Sequence, residues 1–165
     1  MAFSFDATIG GTSSNSYCTV EQADDYFGGR MYADNWDSLG ESDKEKVLVM
    51  AARRIEAERY AGIKTDQNQS LQFPRTGLTD KEGYIYSETV IPQDVINAQC
   101  EMALFYLDRD ERLLNERELH DAQFMEHNKI GPLDQGFRKN AKGDELPNEV
   151  KRELKGIGVG AWCGS

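Results

Sequence analysis

The sequence predicts a mainly α fold: a small helical bundle with a long extended loop or hairpin, followed by a C-terminal helix and tail. Three observations carry that expectation. Apolar residues recur at helical spacing in three stretches between Val20 and Leu107. Each stretch opens on a helix-start signal. Between and beyond them, Pro, Gly and isolated apolar residues break the period. A chain of 165 residues suits one domain with an appendage. The expected division is 1–125, a helical domain with an N-terminal arm, and 126–165, an extended loop, short helix and docking tail.

The elements follow in order. Residues 1–16 are polar and Gly/Ser-rich, as expected of an arm. The first helix opens at Thr19, with Gln22 placed to complete a capping box. Val20, Ala23, Tyr26 and Phe27 form its apolar face, and Gly28-Gly29 ends it. A second helix is expected from a capping box at Ser42-Asp43-Lys44-Glu45. It carries Val47, Leu48, Met50, Ala51 and Ile55 inward and stops at Gly62. From Gln67 to Ile91 the period disappears. Asp80–Gly83 reads as a turn and Tyr84-Ile85-Tyr86 as a short extended piece. A third helix begins at Pro92 and runs to about Leu114. It buries Ile96, Cys100, Ala103 and Leu107, flanked by Val95, Met102 and Tyr106. An excursion over 126–144 holds only scattered Ile130, Leu133 and Phe137. A last short helix after Pro147 shares Val150 and Leu154 on one face and is capped by Gly156. The glycine-rich tail carries Ile157, Val159 and Trp162, apolar residues expected to dock on another molecule.

Charge narrows the partners. The net charge is −10, which opposes general affinity for a polyanion, since nucleic-acid binding normally needs clustered Lys and Arg. No apolar run approaches the length of a membrane span, and the N-terminal residues lack the pattern of a secretory signal. Cys18, Cys100 and Cys163 suit reduced thiols made in a cytoplasm.

Catalytic patterns are sparse. His120 and His127 stand seven residues apart, with Glu116, Asp121 and Glu126 between or beside them. In so acidic a chain a histidine meets acids by chance, so a solvated helix face is the expectation, with no metal and no cofactor. Cys18 and Cys100 lack an identifiable base and are expected to be small buried groups. Gly10-Gly11 and Gly28-Gly29 do not form a phosphate loop. The chain is therefore expected not to be an enzyme. Phe73, Tyr84 and Tyr86 near Arg75 and Lys81 imitate a base-stacking platform, but the expectation is that they cover helix ends. The basic cluster Arg138, Lys139 and Lys142, continued by Lys151, Arg152 and Lys155, fits a solvated surface or a contact with an acidic neighbour or DNA equally well.

Several runs resemble a known family: Tyr17-Cys18-Thr19-Val20-Glu21-Gln22-Ala23, then Ala51-Ala52-Arg53-Arg54-Ile55, then Gln69-Ser70-Leu71-Gln72-Phe73-Pro74-Arg75-Thr76-Gly77, then Ile91-Pro92-Gln93-Asp94-Val95. In this order they are similar to a phage family labelled DnaT-like and single-stranded-DNA-binding. Lys129–Phe137 and Leu146–Leu154 extend the likeness toward the head–tail connector proteins of tailed phages. Phe73 departs from the tryptophan of many relatives. The connector likeness implies a structural subunit of a dodecameric neck ring in the virion, made in the host cytoplasm. Its partners would be copies of itself, the portal, a tail-side protein and passing duplex DNA that is not bound. Ile157, Val159 and Trp162 would dock on the portal. Ile130, Leu133, Phe137, Arg138 and Lys139 would meet a neighbouring subunit. The alternative is a single-stranded-DNA-binding replication accessory that uses Arg138, Lys139, Lys142, Lys151 and Arg152.

Overall fold

The computed structural model describes residues 3–80, 82–110, 127–130, 133–136 and 146–157. Their order is α1 (Val20–Gly28), α2 (Asp34–Asp37), α3 (Glu41–Glu56), β1 (Ile63–Lys64), β2 (Arg75–Thr76), α4 (Gln93–Asp110), β3 (His127–Ile130), β4 (Leu133–Gly136), α5 (Asn148–Leu154) and a 3₁₀ turn (Lys155–Ile157). The mainly α class holds. The chain forms two compact units, Met1–Leu107 with Pro147–Ser165, and Asp108–Leu146. This differs from a division at residue 125, because the terminal helix belongs with the helical unit. In the second unit β3 and β4 form an antiparallel hairpin, in which His127 pairs with Gly136 and Ile130 with Leu133.

Local signals explain where α1 begins. The Thr19 hydroxyl accepts from the Gln22 N–H, and the Gln22 side chain accepts from the Thr19 N–H, so the expected capping box is formed. The box expected at Ser42 is not. α3 opens one residue before it, at Glu41, behind Gly40 and without a side-chain cap. Acids at Glu41 and Asp43 suit the positive end of the helix dipole instead. α3 also ends at Glu56, short of Gly62. Gly62 marks a later turn: its φ is +69°, and a Cβ there would collide with the Thr76 carbonyl. α2 lies in a stretch that the helical period does not reach. It is four residues long, and its Trp36 is fully buried against Phe27, with ring centroids 4.6 Å apart.

The core of this unit joins Phe27 and Ala23 from α1, Leu48, Ala51, Ala52 and Ile55 from α3, and Val95, Ala98, Cys100 and Ala103 from α4. The small residues let the helices approach closely. Met50, expected on the inner stripe of α3, is 51 % exposed. Cys18 and Cys100 are buried and free, as expected of small apolar groups. A hydrogen bond with Cys18, together with burial, holds the Cys100 thiol protonated.

The largest fully buried polar side chain is Gln99. Gln99 of α4 accepts from the Tyr17 N–H at 2.9 Å and donates from Nε2 to Ser16 Oγ at 2.8 Å and to the Leu48 carbonyl at 2.9 Å. The amide thus binds the N-terminal arm and α3 to α4, and leaves none of its own groups unpaired. Glu101, one turn away from core positions on the same helix, is also buried and is met by Arg30 and by the Tyr26 hydroxyl.

The C-terminal segment corrects an expectation. Val150 and Leu154 of α5 are fully buried and Ile157 is 1 % exposed. Ile157 is part of the core of its own unit, so it is not offered for docking. α5 belongs to the same compact unit as α1 and α3. Val159 and Trp162 lie outside the described residues.

Because the Gln99 amide serves three elements, Gln99→Leu should lower the unfolding free energy by about 2–4 kcal/mol in urea denaturation, since a buried donor and acceptors lose their partners. A loss below about 0.5 kcal/mol would mean that the amide is not what holds the arm to the bundle.

Candidate nucleic-acid interface

Cations gather along the outward face of α3 and the segment that follows it. Lys46, Met50, Arg53 and Ala57 follow helical spacing, and all four are exposed. Beyond the helix end come Arg59 and Lys64. Between Lys46 and Lys64 the acids are Glu56 and Glu58 alone, so this stretch is net positive within a chain of net charge −10. Arg54 pairs with Glu58 at 2.9 Å, one helical turn on. Lys46 pairs with Asp43 at 2.8 Å, with both side chains more than half exposed; such pairs open readily to a competing anion.

Arg75 fixes the loop that follows. Its guanidinium is largely buried and donates to the carbonyls of Ala61 at 2.7 Å, Gly62 at 2.7 Å and Tyr60 at 3.3 Å. It also donates to the Gln72 carbonyl and side-chain oxygen, at 3.2 and 2.7 Å. The planar fork matches acceptors set at the end of a helix, which an ammonium could not reach together. Gln69, 3 % exposed, does the same for the motif's own backbone. It donates to the Leu71 and Pro74 carbonyls at 2.8 and 3.0 Å and accepts from the Asp66 N–H at 3.0 Å. Phe73 fills the space between, edge-on to Tyr60 and Tyr17 at 4.8 and 5.8 Å. The Phe73-Pro74 bond is cis. The run Leu71–Gly77, the most specific part of the resemblance, is thus a clamp that secures β1 to β2, with Ile63 opposite Thr76 and Lys64 opposite Arg75.

From β2 the chain continues into a turn. Asp80 caps it by accepting from the Glu82 and Tyr84 N–H groups at 3.0 and 2.8 Å, and Thr79 bridges Ile85. The turn and short extended piece were both expected. What differs is the fate of Tyr84. It does not cover a helix end; it is 74 % exposed, beside Ile85 at 75 %, and Ile63 on β1 is 69 % exposed. Phe73, by contrast, is buried as expected, and Tyr86 is partly buried.

Of the acids of this region, Glu56 is turned inward, while Glu82 and Glu88 are exposed on the segment after β2. Glu56 points inward and accepts from the Gln72 N–H at 2.9 and 3.1 Å. Burial raises its pKa above the ordinary glutamate value, outweighing that hydrogen bond and the charges of Lys64 and Arg75. Glu88 accepts from the Thr76 hydroxyl at 2.6 Å. Elsewhere the surface behaves differently. An open depression of about 440 Å³ is lined by Phe5, Val20, Glu21, Glu41 and Glu45, an environment that repels phosphate.

Of the residues expected from the sequence to touch DNA, only Lys151 and Arg152 are among the described residues. Arg138, Lys139 and Lys142 fall outside the described residues, as does Phe137. Ile130 and Leu133 are backbone partners in the hairpin. On α5, Arg152 is exposed and lies 3.4 Å from Glu153, and Lys151 is half-buried. The strip at Arg53 and Arg59 was missed because its cations alternate with core residues and so form no dense basic run. The available signal was the scarcity of acids from Lys46 to Lys64. His120 lies outside the described residues, and among those described no group of three or more His, Cys, Asp or Glu could hold a metal ion.

Fold and surface together define a small, mainly helical protein with an exposed cationic strip beside a clamped β ribbon. The chain belongs to the family described as "Putative DnaT-like ssDNA binding protein", whose model matches residues 1–161. No curated protein and no solved structure matches it. The family match corrects the head–tail connector reading. What aligns over nearly the whole chain is a family described by DNA binding, and nothing in it points to a virion neck, a portal, a ring of subunits or DNA that passes unbound. The burial of Ile157 removes part of the physical argument for that reading as well.

The ionisation of Glu56 has a measurable sign. The folded protein keeps this proton to a higher pH than the unfolded chain does, so stability falls as pH rises through the interval between the two values. Glu56→Gln retains an oxygen for the Gln72 N–H and removes that fall. Urea denaturation at about pH 4 and about pH 7 should show the variant gaining on the native protein at the higher pH. Parallel pH dependence in the two proteins would contradict the inward placement of a strained carboxylate.

Proposed function

We propose that this protein binds single-stranded DNA as an accessory factor and acts by holding the strand, without catalysis. The observation that carries this is the family match over residues 1–161. The local charge arrangement supports it. A chain of net charge −10 holds a polyanion only where acids are absent or occupied, and the outer face of α3 meets that condition. The same overall charge disfavours the duplex, whose phosphates are packed more densely along the axis than those of a flexible single strand. Exposed aromatic and apolar groups favour unpaired bases, which have free faces to stack.

Binding of this kind is weak, tolerant of sequence and sensitive to salt. Fluorescence anisotropy of a labelled oligothymidylate should report binding at about 20 mM salt that falls steeply by about 200 mM, because each phosphate contact contributes about −0.7 to the logarithmic salt slope. A duplex of equal length should compete poorly. No binding at low salt, or stronger binding to duplex than to single strand, would refute the reading.

A further inference from the structure

Resting on the single-strand-binding reading, we propose that the strand is held by the outward face of α3 and the clamped loop behind it. Arg53 and Arg59 contact phosphates there, and Tyr84 stacks on a base.

Three features carry the assignment, two on α3 and the segment after it and one on the turn after β2. First, Arg53 and Arg59 are exposed and, among the described residues, have no acidic partner within ion-pair distance. Their neighbour Arg54 consumes Glu58, and Glu56 is drawn inward by the Gln72 N–H, so the acids nearest in sequence do not compete for the two free guanidiniums. Arginine is suited to phosphate because its fork donates two parallel hydrogen bonds. Second, the loop after α3 is rigidly held. The Arg75 guanidinium binds the carbonyls of Tyr60, Ala61 and Gly62, so Arg59 stands on fixed backbone, and little ordering is required when a ligand arrives. Third, the same clamp includes β2, which continues into the turn that displays Tyr84. The Asp80 carboxylate receives the Tyr84 N–H and fixes that backbone, while the ring remains 74 % exposed with Ile85 beside it. A large aromatic held out to solvent on an ordered turn gains little for the fold and suits stacking.

The surface offers phosphate and π-face contacts and presents no Asn or Gln beside Arg53, Arg59 or Tyr84 in sequence to read base edges. The ligand class that follows is single-stranded nucleic acid of mixed sequence, contacted over a few nucleotides. The alternative cluster is weaker on the described part of its extent, since Arg152 already has Glu153 beside it.

The test uses the full chain and a labelled oligothymidylate, titrated over a range of salt. Arg53→Gln with Arg59→Gln should weaken binding at least about tenfold at low salt and make the logarithmic salt slope shallower by about 1.4, two phosphate contacts' worth. Tyr84→Ala should weaken binding about fivefold or more while leaving that slope unchanged, because stacking releases no counterions. All three positions are exposed, and thermal unfolding of the variants should match the native protein. Arg138→Gln with Lys139→Gln and Lys142→Gln should keep the native slope. Native affinity and slope in the Arg53/Arg59 variant, native affinity in Tyr84→Ala, or loss of binding in the Arg138/Lys139/Lys142 variant would each overturn the site while leaving single-strand binding intact. A native protein that binds no oligonucleotide at low salt would overturn both.

Discussion

Irregular backbone pressed against helices leaves N–H and C=O groups that neither a helix nor a strand ladder can satisfy. The helical unit meets that constraint with three long polar side chains. Gln99 serves Ser16, Tyr17 and Leu48; Gln69 serves Asp66, Leu71 and Pro74; Arg75 serves Tyr60, Ala61, Gly62 and Gln72. Among the described residues no buried side-chain nitrogen or oxygen is left without a partner. An amide or guanidinium in such a place is costly when unpaired, so each also fixes the one arrangement in which all its bonds are made.

The proposed binding surface follows from the third of these. By spending its donors on the carbonyls after α3, Arg75 gives up any role as a free cation but orders the segment that carries Arg59 and Ile63. The same motif directs the chain into the turn with Tyr84. Glu56, on the inner side, receives the Gln72 N–H and is kept from the outer face. One buried node therefore both closes the fold and clears acids from a cationic strip. That separation lets a strongly acidic protein keep a surface compatible with a single strand.

Much of the helical frame was legible in the sequence. The Thr19–Gln22 box, the α4 core positions and the turn at Asp80 follow from local chemistry that a short window contains. The failures have different causes. α3 starts ahead of its apparent box because Gly40 and the acids at Glu41 and Asp43 suffice to open it. It ends early where the Ile55 carbonyl accepts from the Glu58 N–H and the Tyr60 hydroxyl, an acceptor that a continuing helix would give to the Arg59 N–H. α2 depends on the burial of Trp36 against Phe27, a tertiary contact with no periodic signature. The burial of Ile157 depends on packing of the C-terminal segment within the helical unit, which composition cannot disclose. Charge proved legible in total but not in placement: the value of −10 is correct for the whole chain and misleading for the outer face of α3.

Hydrogen–deuterium exchange of the full chain, with and without a saturating oligothymidylate, tests most directly that a single strand is held on this face. The account predicts added protection in peptides spanning Arg53–Lys64 and Glu82–Tyr86, with little change over 138–152. Protection confined to 138–152, or none anywhere at saturation, would contradict it.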